Sequence, residues 1–117
     1  DLLGCPEGRS APEWIDFDFF GHQIVAHLTP PGPGWEGANR VDGKDVPVRH
    51  FGVILTPQKF NEIAEKLRIS GIQFLHEPQT RFRGSPGEQS TLFVTDPSGN
   101  ALEFKAFAED RMVFAKF

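Results

Sequence analysis

Tyrosine is missing from this chain, and cysteine and methionine occur once each. With Cys5 alone, no internal disulfide can close, which fits a reducing compartment, and a free structural thiol accounts for it without any reactivity. Also missing is any run near the ~20 consecutive apolar residues of a membrane span, and no charged-then-apolar leader opens the chain. Basic residues are scattered and the net charge is −4, so there is no cationic stripe to neutralise a phosphate backbone. Nucleic acid and membrane therefore drop out as expected partners, and the expected location is the cytoplasm. Phenylalanine is what abounds. Twelve Phe and two Trp in 117 residues, with 38% hydrophobic content, are enough for one domain with one packed core.

Trp14 to Phe20 (WIDFDFF) alternates large apolar with acidic side chains, and Gln23 to Leu28 follows after Gly21-His22, which predicts a β-hairpin. Residues 29–47 are rich in Gly and Pro and read as a linker without regular elements, carrying Trp35 as a candidate either to cover the mouth of a cleft or to mark an interface. Val48 to Leu55 (VRHFGVIL) reads as a buried strand with one histidine, His50, near its head. Thr56-Pro57 then supplies an N-cap and a first-turn proline. Phe60, Ile63, Ala64 and Leu67 follow at helical spacing, with Gly71 as the stop. Ile72 to Leu75 reads as a short strand and Gln79 to Gly87 as a mobile loop. Gln89 to Thr95 and Asn100 to Phe107 are predicted as a second hairpin joined by DPSG. Residues 108–117 form a tail.

The chain repeats itself. DLLG, a short segment and WIDFDFFGHQIVAHL parallel RISG, a short segment and STLFVTDPSGNALEF, and alignment of the last strands places Ala26-His27-Leu28 on Leu102-Glu103-Phe104. Each unit then reads as helix end, strand, hairpin. Equal repeats would put an opening strand and most of a helix, about 20 residues, upstream of Asp1.

Strand side chains alternate between faces, so parity sorts them. Leu102, Phe104 and Ala106, with Phe51, Val53 and Leu55, should meet the helix. His50, Gly52, Ile54, Glu103 and Lys105 take the other face, and Gln23, Val25 and His27 separate from Ile24, Ala26 and Leu28 in the same way. One face thus collects His27, His50 and Glu103. Two imidazoles and a carboxylate suit a divalent first-row metal with positions left for substrate or dioxygen, whereas any one of them alone would be an ordinary surface or core residue. Lys105 and Gln23 share that parity and are candidates for substrate contact. His76, Arg81 and Arg83 flank the expected loop and could orient an anionic substrate, although exposed Arg on a loop is commonly just solvated. His22 reads as a turn residue, and Asp16 and Asp18 as the solvent face of a strand.

With HFGVIL, a helix ending in SG and above all TDPSGNALEF, the sequence resembles the vicinal oxygen chelate superfamily, which includes glyoxalase I, extradiol dioxygenases, and bleomycin and fosfomycin resistance proteins. The resemblance runs from Asp1 to about Phe107. It implies an α+β fold of paired βαβββ modules around a metal cleft: residues 1–28 as the remainder of module one, 29–47 as linker, 48–107 as module two and 108–117 as tail. It implies metal ligands at His50 and at Glu103, the latter also shuttling a proton as the catalytic residue. A further ligand position of glyoxalase I falls at His27, where His replaces the usual Glu or Gln, leaving open whether His27 binds metal or stands behind a ligand. It further implies one divalent ion (Fe, Mn, Zn or Ni), a small-molecule substrate with vicinal oxygens, and a homodimer. Within it two functions compete: a dioxygenase-like or glyoxalase-like enzyme, and a metal-free drug-sequestering binder of the bleomycin-resistance kind. Retention of His50 and Glu103 favours the enzyme.

Overall fold

A computed structural model describes residues 1–30, 38–41, 44–47 and 49–116, so Trp35 and Val48 lie outside the described residues. The chain divides into two compact units, Asp1–Pro33 and Gly34–Phe117. No helix among the described residues is long and apolar enough to cross a membrane.

The first unit is a three-stranded antiparallel meander, β1 (Glu7–Ala11), β2 (Trp14–Phe19) and β3 (His22–His27), in that spatial order. The predicted hairpin is β2–β3, but its turn is Phe20-Gly21 rather than Gly21-His22. Both turn residues have positive φ, +56° and +86°, the hand that suits a two-residue connection between twisted strands. Phenylalanine in the left-handed region costs roughly 1 kcal/mol. Asp18 Oδ1 partly offsets this by accepting the Gly21 N–H at 2.8 Å. β1 was not readable in advance, because EGRSA carries no apolar alternation and every residue in it is exposed. Its presence corrects the reading of Asp16 as solvent-facing. The residue is 5% exposed, with its Oδ2 3.7 Å from Arg9 Nε of β1. The opening DLLG forms a single turn in which Gly4 N–H donates to Asp1 O at 3.2 Å.

The second unit holds a complete β-α-β-β-β module. β6 (Phe51–Leu55) leads into helix α1 (Pro57–Ile69), followed by β7 (His76–Arg81), β8 (Gln89–Thr95) and β9 (Ala101–Phe107), with sheet order β6-β9-β8-β7. Thr56 caps the helix through its Oγ1, which accepts the Lys59 N–H at 3.2 Å, and Pro57 fills the first turn. At the other end Ile72 N–H reaches Leu67 O and Gly71 N–H reaches Arg68 O, both at 3.1 Å, with Gly71 at φ +74°. This double bond pattern with a left-handed residue is what ends the helix. The stripe Phe60, Ile63, Ala64 and Leu67 is buried as its spacing predicts. Leu67, Leu92 and Phe104 are the largest fully buried side chains. Burying each one fully stabilises the unit by roughly 1.5–3 kcal/mol.

Three expectations for this unit need correction. Among the described residues β6 is an edge strand, paired only with β9 and largely exposed, with Phe51 at 44% and Ile54 at 48%. The strand expected at Ile72 to Leu75 instead runs from His76 to Arg81, taking in part of the predicted loop. β7 also lies at an edge, and the register of its pairing with β8 shifts between His76 and Gln79, where Pro78 has no N–H to give to the ladder. Finally, the supposed linker contains a two-stranded ribbon, β4 (Ala38–Val41) and β5 (Lys44–Pro47), with Val41 opposite Lys44. Overall Gly and Pro content concealed a specific signal, since the two residues between the strands are Asp42-Gly43, a pair favoured in two-residue hairpins. The tail carries a 3₁₀ turn at Asp110–Met112.

The loop between β8 and β9 shows why DPSGN is a unit. Asp96 Oδ1 accepts the Ser98 and Asn100 N–H groups at 3.0 and 2.8 Å, and Oδ2 accepts Asn100 Nδ2 at 2.8 Å, while Asp96 N–H returns to Asn100 O at 2.9 Å. One carboxylate thus satisfies three donors. Asp96→Ala is expected to lower stability by about 1–3 kcal/mol through those lost charge-assisted bonds, read as a reduced urea midpoint with an unchanged slope.

Candidate metal centre

The ladder register fixes which side chains of the second unit share a face. Phe93 stands opposite both Glu103 and His76, Thr91 opposite Lys105 and Gln79, and Gln89 opposite Phe107 and Arg81. These all lie on the face of the sheet opposite Leu92, Phe104 and Ala106. On β6, Gly52 stands directly beside Glu103. His50 immediately precedes that strand rather than lying in it, and its side chain turns to the same face.

There His50 Nε2 is 3.6 Å from Glu103 Oε1, and Lys105 Nζ is 3.8 Å from the same oxygen. All three side chains are partly exposed, at 33%, 19% and 26%. His50 Nδ1 is 2.7 Å from the carbonyl oxygen of Pro47. A carbonyl only accepts, so Nδ1 carries the proton, and the neutral ring presents the Nε2 lone pair to a carboxylate. Two acceptors facing each other call for a cation: a proton on Nε2, the Lys105 ammonium, or a metal ion. Nitrogen and oxygen donors bound to one tetrahedral ion at about 2.1 Å stand about 3.4 Å apart, so the observed spacing fits a shared divalent metal. Among the described residues no group of three or more His, Cys, Asp or Glu side chains stands together as a metal cluster.

Of the other candidates, His27 ends β3 in the first unit, exposed and opposite Trp14. Gln23 is in that unit too, exposed, with its Nε2 donating to the buried Asp16 Oδ2 at 3.4 Å. His76 shares the sheet face of Glu103, but its Nε2 donates to Asp45 O at 2.7 Å and is committed to the backbone of β5. Arg81 is half-buried, its guanidinium 4.9 Å from the centroid of the Phe82 ring. Arg83 is exposed beyond the end of β7. Sequence reasoning missed the ring of Phe93, buried against both His50 and His76, and the two carbonyls of β5 that these histidines hold. Only the phase of Phe93 along β8 hinted at its place.

A β-α-β-β-β module joined in one chain to a three-stranded meander defines a glyoxalase-like α+β protein. The chain belongs to the glyoxalase/bleomycin resistance protein/dioxygenase family of the vicinal oxygen chelate superfamily. It is 38% identical to a protein of that description from Alicyclobacillus acidocaldarius, over 97% of this chain and 80% of that one, with a TM-score of 0.74. The fold is shared with the fosfomycin resistance protein FosX from Listeria monocytogenes (14% identity, 96% and 80% of the two chains, TM-score 0.64). It is shared also with lactoylglutathione lyase from Agrobacterium tumefaciens (15% identity, 91% and 78%, TM-score 0.59). No family model and no curated protein matches the sequence.

Proposed function

We propose that this protein is a metal-dependent enzyme acting on a small molecule with two adjacent oxygens, by dioxygenase-like or glyoxalase-like chemistry. The observation that carries the reading is the facing of His50 Nε2 and Glu103 Oε1 at 3.6 Å, with the ring's other nitrogen tied to Pro47. His50 and Glu103 would hold a divalent ion (Fe, Mn, Zn or Ni), with His27 as a third ligand or behind one. A bound ion acts there as a Lewis acid toward the substrate oxygens. The residues have separable tasks. Pro47 O orients the His50 ring. Glu103, partly exposed, can take up and return a proton at Oε1, as a catalytic carboxylate does. Lys105 Nζ offers positive charge to an anionic substrate oxygen, and Arg81 shares the sheet face. Gln23 and Arg83 are substrate contacts contributed from outside that face. We place the enzyme in the cytoplasm as a homodimer.

One observation favours a second reading. Lys105 is near enough to Glu103 to balance its charge without a metal, as in a binder that traps its ligand unchanged. Metal uptake separates the two. Protein prepared without chelator and offered Fe(II), Mn(II), Zn(II) or Ni(II) in turn is expected to retain about one ion per chain by elemental analysis. Retention of none would leave the binder ahead.

A further inference from the structure

We propose that His76 is a positioning residue for His50, acting through strand β5. The two histidines pack on one buried ring: centroids lie 5.1 Å from Phe93 for His50 and 5.2 Å for His76. Each gives a ring N–H to β5, His50 Nδ1 to Pro47 O and His76 Nε2 to Asp45 O, both at 2.7 Å. Carbonyls two residues apart on a strand point the same way, so one edge of β5 hangs from the two imidazoles.

The ribbon needs those tethers. β4 and β5 have four residues each and form a sheet of their own, separate from the four-stranded one. An isolated two-stranded hairpin is marginal in water. A further tie runs from Lys44 Nζ to Gln79 Oε1 at 2.7 Å, and it and the His76–Asp45 bond both lie where solvent competes. What sets the His76–Asp45 bond apart is its donor ring, which packs on the buried Phe93 and so holds β5 to a fixed point of the sheet. It keeps the Pro47 carbonyl where it holds the proton of His50 on Nδ1. With that acceptor withdrawn, the His50 proton is free to move to Nε2, where the N–H points at Glu103 and the lone pair offered to a ligand is gone. The inference rests on the proposed function only in taking Nε2 as the working atom.

The experiment reads tautomers in metal-free, ¹⁵N-labelled protein at about pH 8, where an ordinary imidazole is neutral. Wild type is expected to hold His50 mainly as the Nδ1–H form. In His76→Ala the Nε2–H form should become the larger population. In His76→Gln, whose amide N–H can replace the lost donor, the wild-type ratio should return. Unchanged amide protection in α1 and β8 serves as the control for folding. His76→Asn, too short to reach Asp45 O, replaces the alanine variant if the latter does not fold. A wild-type tautomer ratio in the Ala or Asn variant would overturn the proposal, since His50 would then be positioned without the His76–Asp45 bond. So would a Gln variant as disturbed as Ala, because ring packing and not the hydrogen bond would be responsible. No metal enters the measurement, so its outcome is independent of whether the protein binds one.

Discussion

Gly52→Ala is expected to destabilise the second unit by about 3 kcal/mol or more and to separate His50 from Glu103. A Cβ at position 52 would collide with the carbonyl oxygen of Glu103, and would lie 2.6 Å from its carbonyl carbon and 3.0 Å from its nitrogen. All three are backbone atoms of the neighbouring strand, so no side-chain rotation relieves the contact. Either β6 moves away or β9 bends. β6 is the part that can yield, because among the described residues it is an edge strand whose only ladder is with β9. His50 immediately precedes it and would travel with it. Ile54→Ala is the control on the same strand and face. Ile54 is 48% exposed, and its truncation should cost under about 1 kcal/mol. Urea unfolding of both variants checks the contrast. A Gly52→Ala loss no larger than that of Ile54→Ala would mean the strands can part without cost.

The same glycine illustrates what could be read from the sequence alone. Alternation puts His50, Gly52 and Glu103 on one face, and the structure places His50 Nε2 beside Glu103 Oε1. Alternation is a local property and survives an error of a few residues in a strand's start. It says nothing of how close two strands come, which is why Gly52 looked like room beside His50 and is in fact the condition for close approach to Glu103. The helix and the DPSGN turn were legible for a related reason. Their caps and bonds join residues within five positions of one another, such as Thr56 with Lys59 and Asp96 with Asn100. β1 escaped because a short exposed strand carries no apolar rhythm, and the four-residue strands of the β4–β5 ribbon because the Gly and Pro of residues 29–47 outweighed them. The partner of His76 was out of reach, since Asp45 lies 31 positions away and contributes a carbonyl, a group every residue has. The place of His27 depends on how one module meets another, and no local rule reaches that far.

Alanine at His50 or at Glu103 is expected to weaken metal binding on the order of 100-fold or more, since outer-shell partners of metal ligands alone are worth about 10–100-fold. Stability should change little. Both side chains are partly exposed, and loss of Glu103 leaves Lys105 in contact with water rather than as a buried, unpaired charge. That separation of binding from folding is what marks a site rather than a structural ion pair. Lys105→Met sharpens the test because its effect should have the opposite sign. If Lys105 competes with a metal for Glu103 Oε1, removing its charge tightens binding, whereas in a metal-free binder it removes the charge that balances the carboxylate. Titration of each variant with Zn(II) and, anaerobically, with Fe(II) supplies the comparison, with urea midpoints measured on the same samples. Metal affinity unchanged in both alanine variants would end the metal reading, and weaker binding in Lys105→Met would show that the ammonium helps to hold the ion's site together rather than contesting it.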